Sequence, residues 1–441
     1  MQTPDQNPTG LRFALRALNS RNYRLFFAGQ SVSLIGTWMT RIATSWLVYR
    51  LTNSAMLLGV IGFAGQIPTF LLAPIAGVWV DRLNRHKVLV ITQILSMIQS
   101  FWLAALALTH HIGFWDIFGL SIFQGLINAF DMPARQAFVT QMVEKREDLP
   151  NAIALNSSMV NASRLIGPSL AGIVIAAVGE GWCFFIDGVS YIAVIISLLL
   201  MTISVQPQAR HASVITELRE GWTYVSRFTP IRNILLLLAL VSLVGMPYTV
   251  LMPIFARDVL HGGPNTLGLL SAATGVGALV SAAYLAARKS VLGLGRVIPT
   301  TTAIFGTGLV LFGVSHWLAL SMFTLLFTGF GMMQQMAASN TILQTIVDED
   351  KRGRVMSFYS MAFQGMAPFG SLLAGYLAAR IGAPHTVIIC GAICVGGAAW
   401  FLSQLSRLRA AVRPIYVRLG ILPEMALGMQ NASDLQSNLE H

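Results

Sequence analysis

Charge is scarce in this sequence: 11% of its 441 residues are Asp, Glu, Lys or Arg, where an ordinary soluble domain carries about a quarter. That shortage excludes a chain with a hydrated surface of its own, and 55% hydrophobic residues with a mean hydropathy of +0.65 point the same way. Acid is scarcer than base, 18 residues against 29. The bases lie singly and in twos and threes between apolar stretches, with no long basic face, which argues against a nucleic-acid partner and for membrane-flanking charge. Cysteine is nearly missing. Cys183, Cys390 and Cys394 all sit inside apolar runs, and the last two are four apart rather than C-x-x-C, so neither a disulfide framework nor a zinc site is expected. His110, His111 and His316 are too dispersed for a metal centre. The four lysines follow His, Glu, Arg and Asp, so there is no G-K-[ST] phosphate loop, and no cofactor is called for. With no G-x-S-x-G elbow and no H-E-x-x-H, Ser190 in Gly188-Val189-Ser190 has no hydrolase machinery around it, which leaves an intramembrane enzyme a remote alternative. The polar stretch from Met1 to Ser20 has no short apolar run with a cleavage site, so the first apolar span is expected to stay in the mature protein.

What is present is a succession of apolar runs. At about 20 residues per crossing of a hydrocarbon core near 30 Å, they predict an all-α membrane protein with twelve transmembrane helices. The spans fall at 22–49, 55–80, 88–109, 113–138, 150–178 and 182–204, then at 232–259, 265–287, 296–314, 317–345, 355–380 and 385–406. The expected organisation is a tail over 1–21, a six-helix bundle over 22–204, a linker over 205–231, a second bundle over 232–406 and a tail over 407–441. In the linker, Val214, Leu218, Trp222 and Val225 recur at helical spacing opposite Glu217, Arg219 and Glu220, the pattern of an interfacial amphipathic helix. Lys and Arg collect on one side of this span count, from Arg21 and Arg24 through Arg82, Arg85 and Lys87 to Arg407, Arg409 and Arg413. The other side has Arg50, Arg257 and Arg380. Cytoplasmic loops carry the excess, so both termini are expected in the cytoplasm.

The halves are related. A shift of 203 residues lays Leu170-Ala171-Gly172 on Leu373-Ala374-Gly375, and Gly167 on Gly370; a shift of 209 lays Leu58-Gly59 on Leu267-Gly268. Two pseudo-symmetric bundles with a small loop indel account for both registers.

The clearest local motif is Gly77-Val78-Trp79-Val80-Asp81-Arg82-Leu83-Asn84-Arg85-His86-Lys87, between the second and third spans. Gly77 is expected to allow close helix approach, and Asp81 to accept hydrogen bonds from a neighbouring helix N-terminus, a latch for one conformation. The other reading makes Arg82, Arg85 and Lys87 plain orientation charges. In the fifth span, Gly167, Pro168 and Gly172 predict a bend and close packing at a rocking interface. Ionisable groups inside spans cost roughly 2.5 to 3.5 kcal/mol near the centre and so point to a cavity or relay. Arg41, Asp131 and Arg164 are the candidates, with Arg164 deepest; Asp131 is either a proton-carrying carboxylate or a partner of Arg135 four residues on. Asp187 is expected to be interfacial. Gln30, Gln66, Asn128, Asn161, Gln334 and Gln364 either line the cavity or join helices, and Trp38 and Phe363 are candidates for its apolar wall.

These residues resemble a known family. The loop is similar to the G-x-x-x-D-R-x-G-R-R-x signature of the major facilitator superfamily, with Asn84 where the pattern has Gly, a replacement that suits a left-handed turn. The stretch Arg164 to Gly172 resembles the G-P-x-x-x-G element of the superfamily's exporters. Phe130-Asp131-Met132-Pro133-Ala134-Arg135, Pro150-Asn151-Ala152 and Trp46-Leu47-Val48-Tyr49 resemble the enterobactin-exporter and macrolide-efflux (transmembrane secretion effector) subgroup. Ser121 stands four before Gly125 where the drug exporters' fourth helix has arginine, so proton coupling by that arginine does not transfer. The resemblance implies a monomeric secondary transporter of the inner cell membrane, exporting small hydrophobic or amphipathic compounds of drug or siderophore type by alternating access, with protons as the coupling partner. An importer and a substrate-sensing receptor share the same scaffold.

Overall fold

A computed structural model describes residues 15–202, 214–288 and 290–421, apart from the side chains of residues 73, 74, 78, 81, 214–220, 286 and 350. Every regular element among them is helical. The first half comprises α1 (Arg21–Thr52), α2 (Ala55–Ala64), α3 (Ile67–Arg82), α4 (Arg85–Leu108), α5 (Phe114–Met142), α6 (Leu149–Val178) and α7 (Glu180–Leu199). The linker helix α8 (Val214–Arg227) leads to α9 (Thr229–Leu240), α10 (Tyr248–Ile254), α11 (Pro264–Ala286), α12 (Leu294–Val314), α13 (Leu318–Ile346), α14 (Glu349–Ser360), α15 (Ala367–Ile381) and α16 (Ala383–Arg418).

Eight segments among the described residues are long and apolar enough to cross a membrane, including Arg85–Leu108, Thr229–Val259 and Ala383–Arg418. Polar residues break up the remaining long helices: Arg41 in α1, Asp131 and Arg135 in α5, Gln334, Gln335 and Asn340 in α13.

Three expected spans are not single rods. The second breaks at Gly65, because Pro68 has no N–H for the ladder and its ring opposes the carbonyl four residues back. The seventh is interrupted by π turns at Val241–Gly245 and Phe255–Val259, flanking Pro247 and Pro253. The eleventh carries a π turn at Met361–Gly365 just before Pro368. The last helix runs past the expected end at 406 to Arg418, so the start of the expected tail is helical. In the linker helix Val225 is buried but Trp222 is 62% exposed, with its ring 6.1 Å from that of Phe358; Val214, Leu218, Glu217, Arg219 and Glu220 have side chains outside the described residues.

Packing divides the molecule. In the first half α1 lies on α6 and α7, α4 on α5 and α7, and α3 on α5; in the second, α12 lies on α13 and α16, and α11 on α13. Two seams join the halves, α6 against α11 and α2 against α15. At the end away from the chain termini, the tail-distal end, one core runs through both halves, with Met39, Leu58 and Ile175 beside Leu251, Leu267 and Leu309. At the tail-proximal end each half keeps its own core: Tyr23, Phe26, Phe138 and Leu198 in one, Ile231, Leu235, Leu343 and Phe401 in the other.

Candidate functional site

The centre of the molecule is set by a glycine. A Cβ on Gly167 would collide with the Cβ of Trp38 and stand 2.9 Å from the Ile35 carbonyl, so only glycine lets α6 lie this close to α1. Arg164 is three residues before Gly167 and Arg41 three after Trp38, which puts both on the faces that meet. The Arg41 guanidinium lies 5.1 Å and that of Arg164 5.3 Å from the centroid of the Trp38 ring. The two cations repel one another, and Tyr248 on α10, from the other half, lies near Arg164. Tyr248 is buried, with the Thr274 hydroxyl beside its own. Neither arginine forms an ion pair or side-chain hydrogen bond among the described residues. Arg41 is exposed, and Arg164 and Trp38 are half-buried. A charged side chain this far along a span is expected to face the interior of the bundle and not lipid.

Asp131 and Asp187 differ in kind. Asp131, 2% exposed, accepts from Thr92 Oγ1 and Gln93 Nε2, each at 2.8 Å, and forms an ion pair with Arg135. Asp187 is not interfacial: it is 1% exposed, deep between α1, α4 and α7, accepting from Thr40 Oγ1 at 2.8 Å and Ser100 Oγ at 2.9 Å. A Cβ on Gly36 would stand 2.7 Å from the second oxygen of Asp187 and 2.7 Å from Ser190 Oγ. No cation among the described residues pairs with it. The sequence hint was the polar face of α4, where Thr92, Gln93, Ser96, Gln99 and Ser100 recur inside an apolar helix and are all buried.

The loop between α3 and α4 departs from expectation. Asn84 is extended, φ −69° and ψ 104°, and caps α4 by accepting from the Lys87 N–H at 3.2 Å; capping, not a left-handed turn, is what suits it here. Among the described residues, Gly77 has no atom within 4 Å of where a Cβ would stand. The Asp81 side chain lies outside the described residues; Arg82 is exposed and Arg85 half-buried. Gln66, at the break between α2 and α3, donates to the Gly62 carbonyl of α2, Asn161 donates to the Ser157 carbonyl of its own helix, and Gln334 accepts from Ser281, so these three join structure more than they line a path.

The tail-distal end is shut by glycine seams and a small polar cluster. A Cβ on Gly172 would stand 2.9 Å from the Pro264 carbonyl and 3.2 Å from Gly268; one on Gly59 would stand 2.6 Å from the Ser371 carbonyl and 2.9 Å from Gly375. The Pro168 carbonyl faces Gly268 on the same seam. Tyr49 donates to Asp258 across the halves, and Arg257 reaches Asn53 Oδ1 at 2.8 Å while its guanidinium lies 5.8 Å from the Tyr49 ring centroid. Asn53 is the left-handed C-cap of α1, φ 47°. Sequence reading passed over Asp258, which no motif marks.

Two helical halves meeting around a polar centre, with small residues along their seams, are the build of a membrane transporter. The transmembrane secretion effector family of the major facilitator superfamily matches residues 13–417, and the chain belongs to it. It is accordingly a multi-pass integral membrane transporter, not an enzyme. Among curated relatives, the Staphyloferrin A transporter of Staphylococcus aureus is 25% identical over 395 residues, covering 88% of this chain and 97% of that one. The multidrug efflux pump Tap of Mycolicibacterium fortuitum is 25% identical over 395 residues, covering 86% and 95%. Macrolide efflux protein A of Streptococcus pyogenes is 24% identical over 401 residues, covering 88% and 98%. In fold, the chain is similar to a POT family transporter at a TM-score of 0.71 and 12% identity, over 88% of this chain and 96% of that one. It is also similar to the nucleoside transporter NupG, at 0.68 and 12%, over 88% and 100%.

Proposed function

We propose that this chain is a proton-coupled secondary exporter of small hydrophobic or amphipathic compounds in the inner cell membrane. It works by alternating access, with twelve spans in two six-helix bundles and both termini cytoplasmic. The observation that carries the reading is the division of the core. The halves share apolar packing at the tail-distal end and keep separate cores at the tail-proximal end, with Arg41, Trp38 and Arg164 between them. A site at the meeting of two halves, closed on one side, is what rocking about a central site requires. The efflux relatives support the outward direction, and the sorting of Lys and Arg supports tails in the cytoplasm. The shut tail-distal end is then the outer gate.

For the proton, Asp187 is the better carrier. Asp131 is ion-paired with Arg135, whereas Asp187 has hydroxyls for partners, those of Thr40 and Ser100, which accept or donate as its charge changes. The test takes a substrate identified by screening growth inhibition in cells lacking other efflux systems, and follows its flux in proteoliposomes under an imposed pH gradient. Flux is expected to follow the gradient in the native chain. In Asp187→Asn, gradient-driven flux is expected to be lost while substrate exchange without a gradient continues. Native flux indifferent to the gradient would remove proton coupling, and an unaltered Asp187→Asn would remove Asp187 from it.

A further inference from the structure

We infer that the transported compound is an organic anion, whose carboxylate, sulfonate or phosphate-like group is clamped between Arg41 and Arg164 while its apolar or aromatic body lies against Trp38. The inference deepens the transport reading above and rests on it.

Other charged groups inside the spans have protein partners, ionic or hydrogen-bonding: Asp187 accepts from the Thr40 and Ser100 hydroxyls. Asp131 has Arg135, and Arg50 at the tail-distal end lies 2.8 Å from Glu180. Arg41 and Arg164 are the exception: two like charges sharing one indole, with no carboxylate or carbonyl on either among the described residues. The ring alone does not satisfy them. A cation over an aromatic face gains from the quadrupole but leaves the N–H donors of the guanidinium without acceptors. Those donors are not sealed in, since Arg41 is exposed and Arg164 half-buried. Acceptors must come from outside the protein. Water supplies acceptors but no charge, whereas an anionic group supplies both and relieves the repulsion between the two arginines. The planar fork of each guanidinium also suits bidentate pairing with such a group. From the opposite half, the buried Tyr248 lies near Arg164 and brings a neutral hydroxyl, not a carboxylate, to that side of the clamp. A cation would meet two guanidiniums here and nothing to offset them, so the site selects by sign.

The test has one arm without ligand and one with. In the full-length chain with Cys183, Cys390 and Cys394 replaced by serine, Thr37→Cys places a thiol one residue before Trp38 at an exposed position. Its reaction with a sulfonate-bearing methanethiosulfonate is compared with that of a trimethylammonium-bearing one. The anionic reagent is expected to be favoured about tenfold or more over the same ratio at an exposed reference cysteine, and Arg41→Gln or Arg164→Gln is expected to collapse the preference. In the second arm, the purified native chain in neutral detergent is titrated with carboxyfluorescein and, separately, with rhodamine 123, two dyes on one skeleton with opposite charge. Carboxyfluorescein is expected to bind saturably. Each Arg→Gln variant should weaken it about tenfold to hundredfold, Arg→Lys should weaken it less, and rhodamine 123 should bind more weakly than carboxyfluorescein to the native chain and gain from Arg→Gln. A labelling ratio like the reference overturns the inference whether or not a dye binds. Rhodamine 123 binding as tightly as carboxyfluorescein, or anion binding indifferent to both Arg→Gln changes, also overturns it. Arg→Lys variants and a monodisperse elution profile separate lost charge from lost fold. Neither arm reads flux, so a failure of transport with intact anion binding would count against the transport reading alone.

Discussion

At the scale of single residues, the interior charges separate by what neutralises them. Asp131 and Arg135 are one turn apart on α5, with Thr92 and Gln93 of α4 completing the carboxylate's shell. Replacing Asp131 by Asn keeps the shape but leaves Arg135 without its counter-ion. Breaking a fully buried pair costs about 3 to 5 kcal/mol; Arg135 keeps 26% of its side chain open and can hydrate in part, so about 1 to 3 kcal/mol is expected. Thermal unfolding of the detergent-solubilised chain should show Asp131→Asn destabilised, and Arg135→Gln added to it should recover part of the loss. A single variant as stable as the native chain would contradict this. The pair was legible in the sequence because its partners are four residues apart. Asp187 was not, because Thr40 and Ser100 come from 147 and 87 residues away and are ordinary hydroxyl residues in apolar helices. Arg41 and Arg164 were legible as costly charges, but their meeting over Trp38 depends on how closely α6 lies on α1, which no local pattern states.

At the scale of elements, the repeat says more than the spans do. The two registers found in the sequence pair Gly172 with Gly375 and Gly59 with Gly268. In the fold, Gly172 meets Gly268 and Gly59 meets Gly375, so each seam joins one member from each pair. Twofold-related halves give this crosswise contact, and the same small residues serve both seams. The boundaries of the helices were less legible. Hydropathy is blind to Pro68, to the π turns before Pro247 and Pro368, and to a helix that leaves the apolar zone and continues to Arg418. Gly77, the glycine of the strongest motif, meets nothing among the described residues, while Gly172, from a less specific motif, is in tight contact. Valine at Gly172 must force α6 from α11. Overpacking of this kind costs about 1 to 3 kcal/mol, charged only to the state in which the seam is closed, which amounts to a shift of roughly 5-fold to 150-fold toward opening. Labelling of Thr37→Cys by an impermeant thiol reagent applied at the tail-distal side should rise by that order in Gly172→Val. Unchanged labelling would mean that the seam does not separate when the site opens on that side.

At the scale of the whole molecule, the seams alone do not account for the closed tail-distal end. Closely packed glycines resist overlap but have no preference among sliding positions, whereas directed polar contacts fix one arrangement. Tyr49 on α1 donates to Asp258 in the π turn beyond α10, and the neighbouring Arg257 holds Asn53 and lies against the Tyr49 ring. These contacts link the ends of two helices that run on either side of the Arg41 and Arg164 site, so they act on access to it without touching it. A hydrogen bond to a charged acceptor contributes about 1.5 to 3 kcal/mol, and it exists only while the halves are together. Asp258→Ala should therefore favour the open arrangement by about tenfold or more, with the Arg257 to Asn53 contact limiting the effect. Spin labels at Thr109 in the first half and Trp317 in the second, both exposed at this end, would report it. A longer tail-distal distance is expected to become populated in Asp258→Ala and to grow further when Asn53→Ala is added. A distance distribution identical to the native one in the double variant would assign closure to apolar packing alone, with the polar cluster riding on it.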